Sequence, residues 1–267
     1  MLTRLLPAAL ALAFWIVPLP AAATDYTDIW FLPAESGWGV NMIQADSFTY
    51  NFIFATFFIY GSDTKPTWYT AQMSSDANGN FAGGLYATVG TYFGKPWNPA
   101  DHPPATLVGT ASFVPTNAYQ GTLSYSITGG PTVTKTIQRQ SLTTIAIGGN
   151  YSGTQSGAYS GNNCSIAGGY TDNFTVTVTQ PGDGTATFQF SYASMLSCTL
   201  SGTLVQHGRL YSIPNATYQC SGTMGGFNTS ASVDEIQATP QGIEGVLFAA
   251  SEPGSCSENA AFAGVLL

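Results

Sequence analysis

Phe174, Val176 and Val178 alternate with Thr175, Thr177 and Thr179, and Leu123, Tyr125 and Ile127 alternate with small polar residues. A period of two sends one set of side chains to a buried face and the other to an open face, as only a strand does. Such runs recur along the whole chain after residue 26, rich in Thr, Ser, Val, Tyr and Phe. They are cut by turn chemistry: Asp63-Thr64-Lys65-Pro66, Asn78-Gly79, Pro115-Thr116-Asn117, Gly129-Gly130-Pro131 and Gly182-Asp183-Gly184. No amphipathic helical pattern competes with them. The fold class is therefore all-β and antiparallel.

Strands are expected near 27–31, 38–45, 48–60, 66–73, 81–88, 106–114, 119–128 and 132–139. In the second half they fall near 149–156, 172–180, 185–192, 196–206, 209–220, 227–236, 242–250 and 259–266. Eight short sequential strands per half predict two small up-and-down barrels, because closure removes unpaired sheet edges. Two β-sandwiches are the alternative. Tyr50 to Tyr60 is apolar on both faces, so that strand is expected to be covered on both sides. The segment 89–105, with Pro96, Pro99, Pro103 and Pro104, reads as a long loop.

Two composition shifts divide the chain. Beyond Trp15, all tryptophans (Trp30, Trp38, Trp68 and Trp97) precede residue 100, while Cys164, Cys198, Cys220 and Cys256 all follow residue 160. An aromatic-rich domain over 25–140 and a disulfide-bonded domain over 149–267 are expected, with the boundary near Ser141 to Gly149. Only 7% of residues are charged, and the net charge is −8. Six Lys and Arg cannot neutralise a row of phosphates, so nucleic acid is excluded as a partner, and an anionic membrane surface is a poor one. With 44% hydrophobic residues the chain can bury a core and is not a disordered one.

The first 23 residues read as a secretory signal peptide. Arg4 is the positive start, Leu5 to Val17 the apolar stretch, and Ala21-Ala22-Ala23 the small-residue cleavage site. The apolar stretch is too short, and too interrupted by Pro7 and Pro18, to span a bilayer. No membrane span is expected after cleavage, and the mature protein is expected to be secreted or periplasmic. Four cysteines in an exported chain read as two disulfides. Three pairings are open. Cys198–Cys220 is favoured because the two flank a hairpin turning at His207-Gly208, leaving Cys164–Cys256. An outer-membrane barrel is disfavoured, because runs such as Thr175 to Thr179 offer hydroxyls on one face and few aromatics on the other.

One motif stands above composition: Pro33-Ala34-Glu35-Ser36-Gly37-Trp38-Gly39, followed by Phe57-Phe58-Ile59-Tyr60, a polar turn and Lys65-Pro66-Thr67-Trp68-Tyr69. Over roughly 27–140 the chain resembles a set of exported, largely uncharacterised proteobacterial proteins with a Pro-x-Glu-Ser-Gly-Trp-Gly motif. That resemblance implies export and a β-fold, but no activity. It departs at Thr64, which stands where the family has Gly. The second half resembles calycin-type small barrels only in strand pattern.

Two roles fit the motif. Pro33 and Gly37 can shape a turn in which the Glu35 carboxylate accepts backbone N–H groups while Gly39 lets Trp38 pack closely. Alternatively Trp38 and Asn41 face a barrel mouth with Trp68 and Tyr69, offering stacking faces and an amide to a sugar ring or another flat ligand. In a meander the first, third and fifth turns share an end. The motif turn, the Asp63 turn and the 89–105 loop with Trp97 are thus expected at one mouth, with Trp68 just inside it. Glu35, Trp38, Asn41, Trp68, Tyr69 and Trp97 are the candidate ligand-binding residues.

For catalysis the inventory is thin. His102 lies in the Asp101-His102-Pro103-Pro104 loop and His207 in a hairpin turn, both expected on the surface. There is no Gly-x-Ser-x-Gly elbow, and no Cys-x-x-Cys or Cys–His spacing for zinc. Asp76 to Asn80 starts like a calcium loop but carries Phe81 where Gly is needed. No catalytic residue, metal site or cofactor is expected. The favoured function is an exported, non-catalytic binding protein for a small or carbohydrate-like ligand or a protein surface. A secreted hydrolase using Glu35 is one alternative, and a structural or adhesive surface component is another.

Overall fold

The computed structural model describes residues 24–47, 50–162, 164, 168–222, 225–250 and 256–267. The expected signal peptide, residues 1–23, lies outside them. Strands β1 (Asp28–Phe31), β2 (Gly39–Ser47), β3 (Tyr50–Tyr60), β4 (Pro66–Ser75), β5 (Phe81–Ala87), β6 (Thr106–Pro115), β7 (Gln120–Ile127) and β8 (Thr132–Arg139) pair each with the next. β8 also pairs with β1, Trp30 opposite Arg139, and closes the barrel.

The second unit contains β9 (Gly149–Ser160), β10 (Gly168–Thr179), β11 (Thr185–Tyr192), β12 (Leu196–Thr203), β13 (Val205–His207), β14 (Leu210–Gly222), β15 (Gly225–Thr239), β16 (Gly242–Ala250) and β17 (Ser257–Leu266). Its sheet runs β12-β11-β10-β9-β17-β16-β15-β14-β13, and an extra β12–β14 pairing closes it. The protein is all-β, with two closed antiparallel barrels. The disulfides are Cys198–Cys220 and Cys164–Cys256. Cys198 stands directly opposite Cys220 in the β12–β14 register, so that bridge sits on the closing seam. The strand expected over 196–206 is interrupted at Leu204, whose N–H turns to Gly184 O, and the short β13 follows.

Alternation fills both interiors. In the first barrel Trp30, Val40, Met42, Phe57, Met73, Phe113 and Ile137 are buried. In the second, Phe174, Val176, Phe188, Phe190, Tyr218 and Phe262 form the core. At about 25 cal/mol per Å2 such apolar burial is the main stabilising term. The expectation that β3 is covered on both faces is wrong. Only Ile53, Ala55, Phe57 and Ile59 turn inward, while Phe58 and Tyr60 stay 57% and 53% exposed. A closed barrel has a single layer, and the outward Phe52, Phe54 and Thr56 are only partly covered.

The barrels meet end to end. Arg139, its side chain fully buried, donates to Asp28 Oδ2 at 3.1 Å and to the carbonyls of Ala118, Thr27 and Asp25, with its guanidinium 5.0 Å from the Trp30 ring centre. The β13–β14 turn of the second barrel presses on this group. The Arg209 N–H donates to Asp28 Oδ2 at 3.1 Å, and the Arg209 guanidinium pairs with Asp25. A Cβ on Gly208 would lie 2.2 Å from that same Asp28 oxygen. His207 stacks on Tyr119 with ring centres 4.0 Å apart and bonds Ser212, and burial lowers its pKa. It is therefore an interface residue and not the surface residue expected from its hairpin turn. That turn docks against the neighbouring barrel, which a local reading cannot reveal.

Candidate functional site

Because the second barrel covers the Arg139 end of the first, the opposite end is the free one. The alternation of a meander places there the motif turn between β1 and β2, the Asp63 turn between β3 and β4, and the loop between β5 and β6. Glu35 N–H closes the motif turn on Leu32 O at 2.9 Å, and Gly37 holds φ +104°, a region costly for other residues. The Glu35 carboxylate does not accept turn N–H groups as the turn-forming role anticipated. It accepts Trp38 Nε1 at 3.3 Å and Lys135 Nζ at 2.8 and 2.7 Å.

Lys135 is the residue that the sequence reading missed. Along β8, Ile137 and Arg139 are buried inside the barrel, so Lys135 belongs to the same inward row, one step nearer the free end. Counting parity back from Ile137 would have placed it there. Across from it stands Leu123, and beside it Tyr125, whose ring meets Phe57 edge-on at 5.6 Å. Burial raises the pKa of Tyr125, the nearby Tyr69 adds to that, and Lys135 opposes it. Trp38, Tyr69 and Tyr125 pack partly buried on the top of the core. The Lys135 hydrogen bond, first, and its charge hold the Glu35 carboxyl below the usual carboxylate range. The mouth thus presents an indole, two phenols and an ionised Glu–Lys pair above a filled interior. An eight-stranded barrel has little more room than that.

Of the six expected site residues, Glu35, Trp38 and Tyr69 meet at this mouth. Asn41 and Trp68 do not. Asn41 lies between the inward Val40 and Met42, and Trp68 next to the inward Tyr69, so both face outward. Trp68 stands opposite Phe58, and both rings are exposed on the outer wall. Trp97 is 70% exposed in its loop and stacks on His102, ring centres 3.5 Å apart. Asp101 is engaged by Thr91 and Asn98 of the same loop. Asp76 binds the N–H groups of Asn78 and Asn80 as a hairpin turn. A groove of about 450 Å3 is lined by Thr110, Ser112, Ser124 and Thr132, and also by Tyr125 of the mouth.

A second polar cluster lies inside the other barrel, at the end away from the interface. Gln155 donates to Glu258 Oε1 at 2.9 Å, Tyr170 donates to the same oxygen, and Tyr192 donates to Gln155 Oε1 at 2.6 Å. Burial raises the Glu258 pKa against the lowering effect of both hydrogen bonds. Nothing in the strand pattern marked this group. Among the described residues no cluster of three His, Cys, Asp or Glu could hold a metal, and no helix is long and apolar enough to cross a membrane.

Fold and site together define a two-barrel β protein with an aromatic, ion-paired mouth. No family model and no curated protein matches the chain. Among solved structures it is similar to a protein of unknown function from the DUF3598 family of Nostoc punctiforme, with 9% identity, 90% of this chain and 93% of that chain covered, and a TM-score of 0.29. That score is too low to carry any inference about either barrel.

Proposed function

We propose that the chain is an exported, non-catalytic binding protein that takes a small, hydroxylated, carbohydrate-like ligand at the free mouth of its first barrel. The observation that carries this reading is the inward-facing Lys135, held by Glu35 over Tyr69, Tyr125 and Trp38. A sugar ring offers an apolar face to an indole and hydroxyls to a carboxylate, an ammonium and phenols, so each group at the mouth has a partner on such a ligand. Export is supported by the signal-peptide pattern, by the two disulfides and by the motif resemblance.

The hydrolase reading has less support. A general acid needs a raised pKa, whereas Glu35 is lowered and ion-paired, and no described bond brings a second carboxylate to it. The exposed outer-wall pair Phe58 and Trp68 favours an adhesive role, but two rings alone select no particular ligand. Thermal-shift screening of the secreted protein against monosaccharides and oligosaccharides tests the proposal. A stabilising sugar whose effect is lost in Lys135→Met supports it. Sugar hydrolysis that Glu35→Gln abolishes, with the fold intact, would replace it with the hydrolase.

A further inference from the structure

Thr24 follows directly on the Ala21-Ala22-Ala23 cleavage pattern, and its hydroxyl donates to Glu235 Oε1 of the second barrel at 3.0 Å. Glu235 sits in the bulge of β15 with φ +53°, a left-handed conformation that strains a residue with a side chain. Its N–H is taken by the Tyr119 hydroxyl of the first barrel at 2.8 Å. The strained residue thus points its carboxylate into the seam between the barrels.

The charges around Glu235 are unbalanced. Burial most of all raises its pKa; the Thr24 hydroxyl and the Arg139 charge lower it, while Asp234, which adjoins it, and Glu244 on the neighbouring β16 raise it. Tyr26 lies near enough for the carboxylate to raise its own pKa. On the other side stands Arg139, which is committed to Asp28 and three carbonyls. Glu235 has a hydroxyl partner but no cation of its own among the described ion pairs.

We propose that removal of residues 1–23 leaves a Thr24 α-ammonium that pairs with Glu235 and locks the two barrels together, so that processing completes the interface. The inference rests on the export reading above. A leader endopeptidase adds water across the Ala23–Thr24 peptide bond. The leader departs with the Ala23 carboxylate, and the freed Thr24 amine takes up a proton. The Thr24 nitrogen is three bonds from its own hydroxyl, hence within about 4 Å of it and within about 7 Å of the Glu235 oxygen that the hydroxyl binds. Before cleavage that nitrogen is a neutral amide and supplies no charge.

Two measurements test this. N-terminal sequencing of the secreted protein is expected to start at Thr24; another start overturns the processing half, whatever the ligand assay shows. Chain released in vitro with Thr24 first is then treated with limiting N-hydroxysuccinimide ester at pH 7, and each amine is followed by mass spectrometry. Pairing raises the amine's pKa from its usual value of about 7.7–8.0; a rise of one unit slows acylation about tenfold. Acylation of Thr24 is expected to be about tenfold faster in Glu235→Gln than in wild type, while the exposed Lys65 reacts equally in both. A chain with one extra Gly before Thr24 keeps Glu235 intact and is expected to be cut faster by protease within 141–148. Equal acylation in wild type and Glu235→Gln, or equal cleavage with and without the extra Gly, would overturn the pairing.

Discussion

Lys135 and Glu35, 100 residues apart in sequence, meet through both carboxylate oxygens at 2.8 and 2.7 Å. The pair ties the turn between the first two strands to the strand that closes the barrel. It also fixes the acceptor of the Trp38 indole N–H.

The pH dependence of this mouth follows from the sign of the Glu35 shift. Its folded pKa lies below the ordinary glutamate value of 4.5, so the contact is fully present above that value and is lost as pH falls through the folded pKa. The Trp38 indole N–H resonance is expected to move in step with that titration. In Lys135→Met the same transition is expected at higher pH. An indole resonance that ignores acid would contradict the contact.

Arg139 is the most consequential side chain at the interface. Arg139→Met removes the partner of Asp28 and leaves three carbonyls unsatisfied, a change of a kind that costs about 3–5 kcal/mol. Urea denaturation is expected to show that loss, and Gly208→Ala, which drives a methyl group onto Asp28, a smaller one. Wild-type stability in Arg139→Met would mean that the seam does not hold the barrels as described.

Much of this was legible because a strand alternates and a turn has its own chemistry. Strand positions, closure and the Cys198–Cys220 bridge follow from local signals. Thr64 holds φ +63°, a left-handed conformation that favours glycine, with its hydroxyl on Asp63 O. What stayed hidden depends on parity and on partners distant in sequence. A one-residue difference in parity sends Tyr69 inward and Trp68 outward, and both are aromatic. Lys135 takes its role from Glu35, 100 residues away in sequence. His207 and Glu258 take their surroundings from other strands altogether.

Thr64→Gly is expected to stabilise the protein by up to about 1 kcal/mol, since glycine removes the left-handed strain but adds unfolded-state entropy. Thermal unfolding reads the change, and a clear loss of stability would mean that the Thr64 hydroxyl bond outweighs the strain.

Glu258 gives the opposite pH signature to Glu35. Burial raises its folded pKa, so the folded state holds its proton more tightly than the unfolded state does. Its contribution is favourable at low pH and is lost as pH rises from the unfolded value through the folded one. Glu258→Gln keeps an acceptor for Gln155 and Tyr170 and removes the charge. It is expected to stabilise by about 1 kcal/mol at pH 8 and to be neutral near pH 4. A variant less stable than wild type at pH 8 would show the ionised carboxylate to be favourable there.

Tryptophan fluorescence distinguishes the mouth from the outer wall most directly. The secreted protein is titrated with whichever sugar stabilises it in the thermal screen, alongside Trp38→Phe, Trp68→Phe and Lys135→Met. Ligand at the mouth predicts saturable quenching that disappears in Trp38→Phe and Lys135→Met and survives in Trp68→Phe. Quenching that survives in Trp38→Phe and disappears in Trp68→Phe, or no response to any sugar, would contradict it.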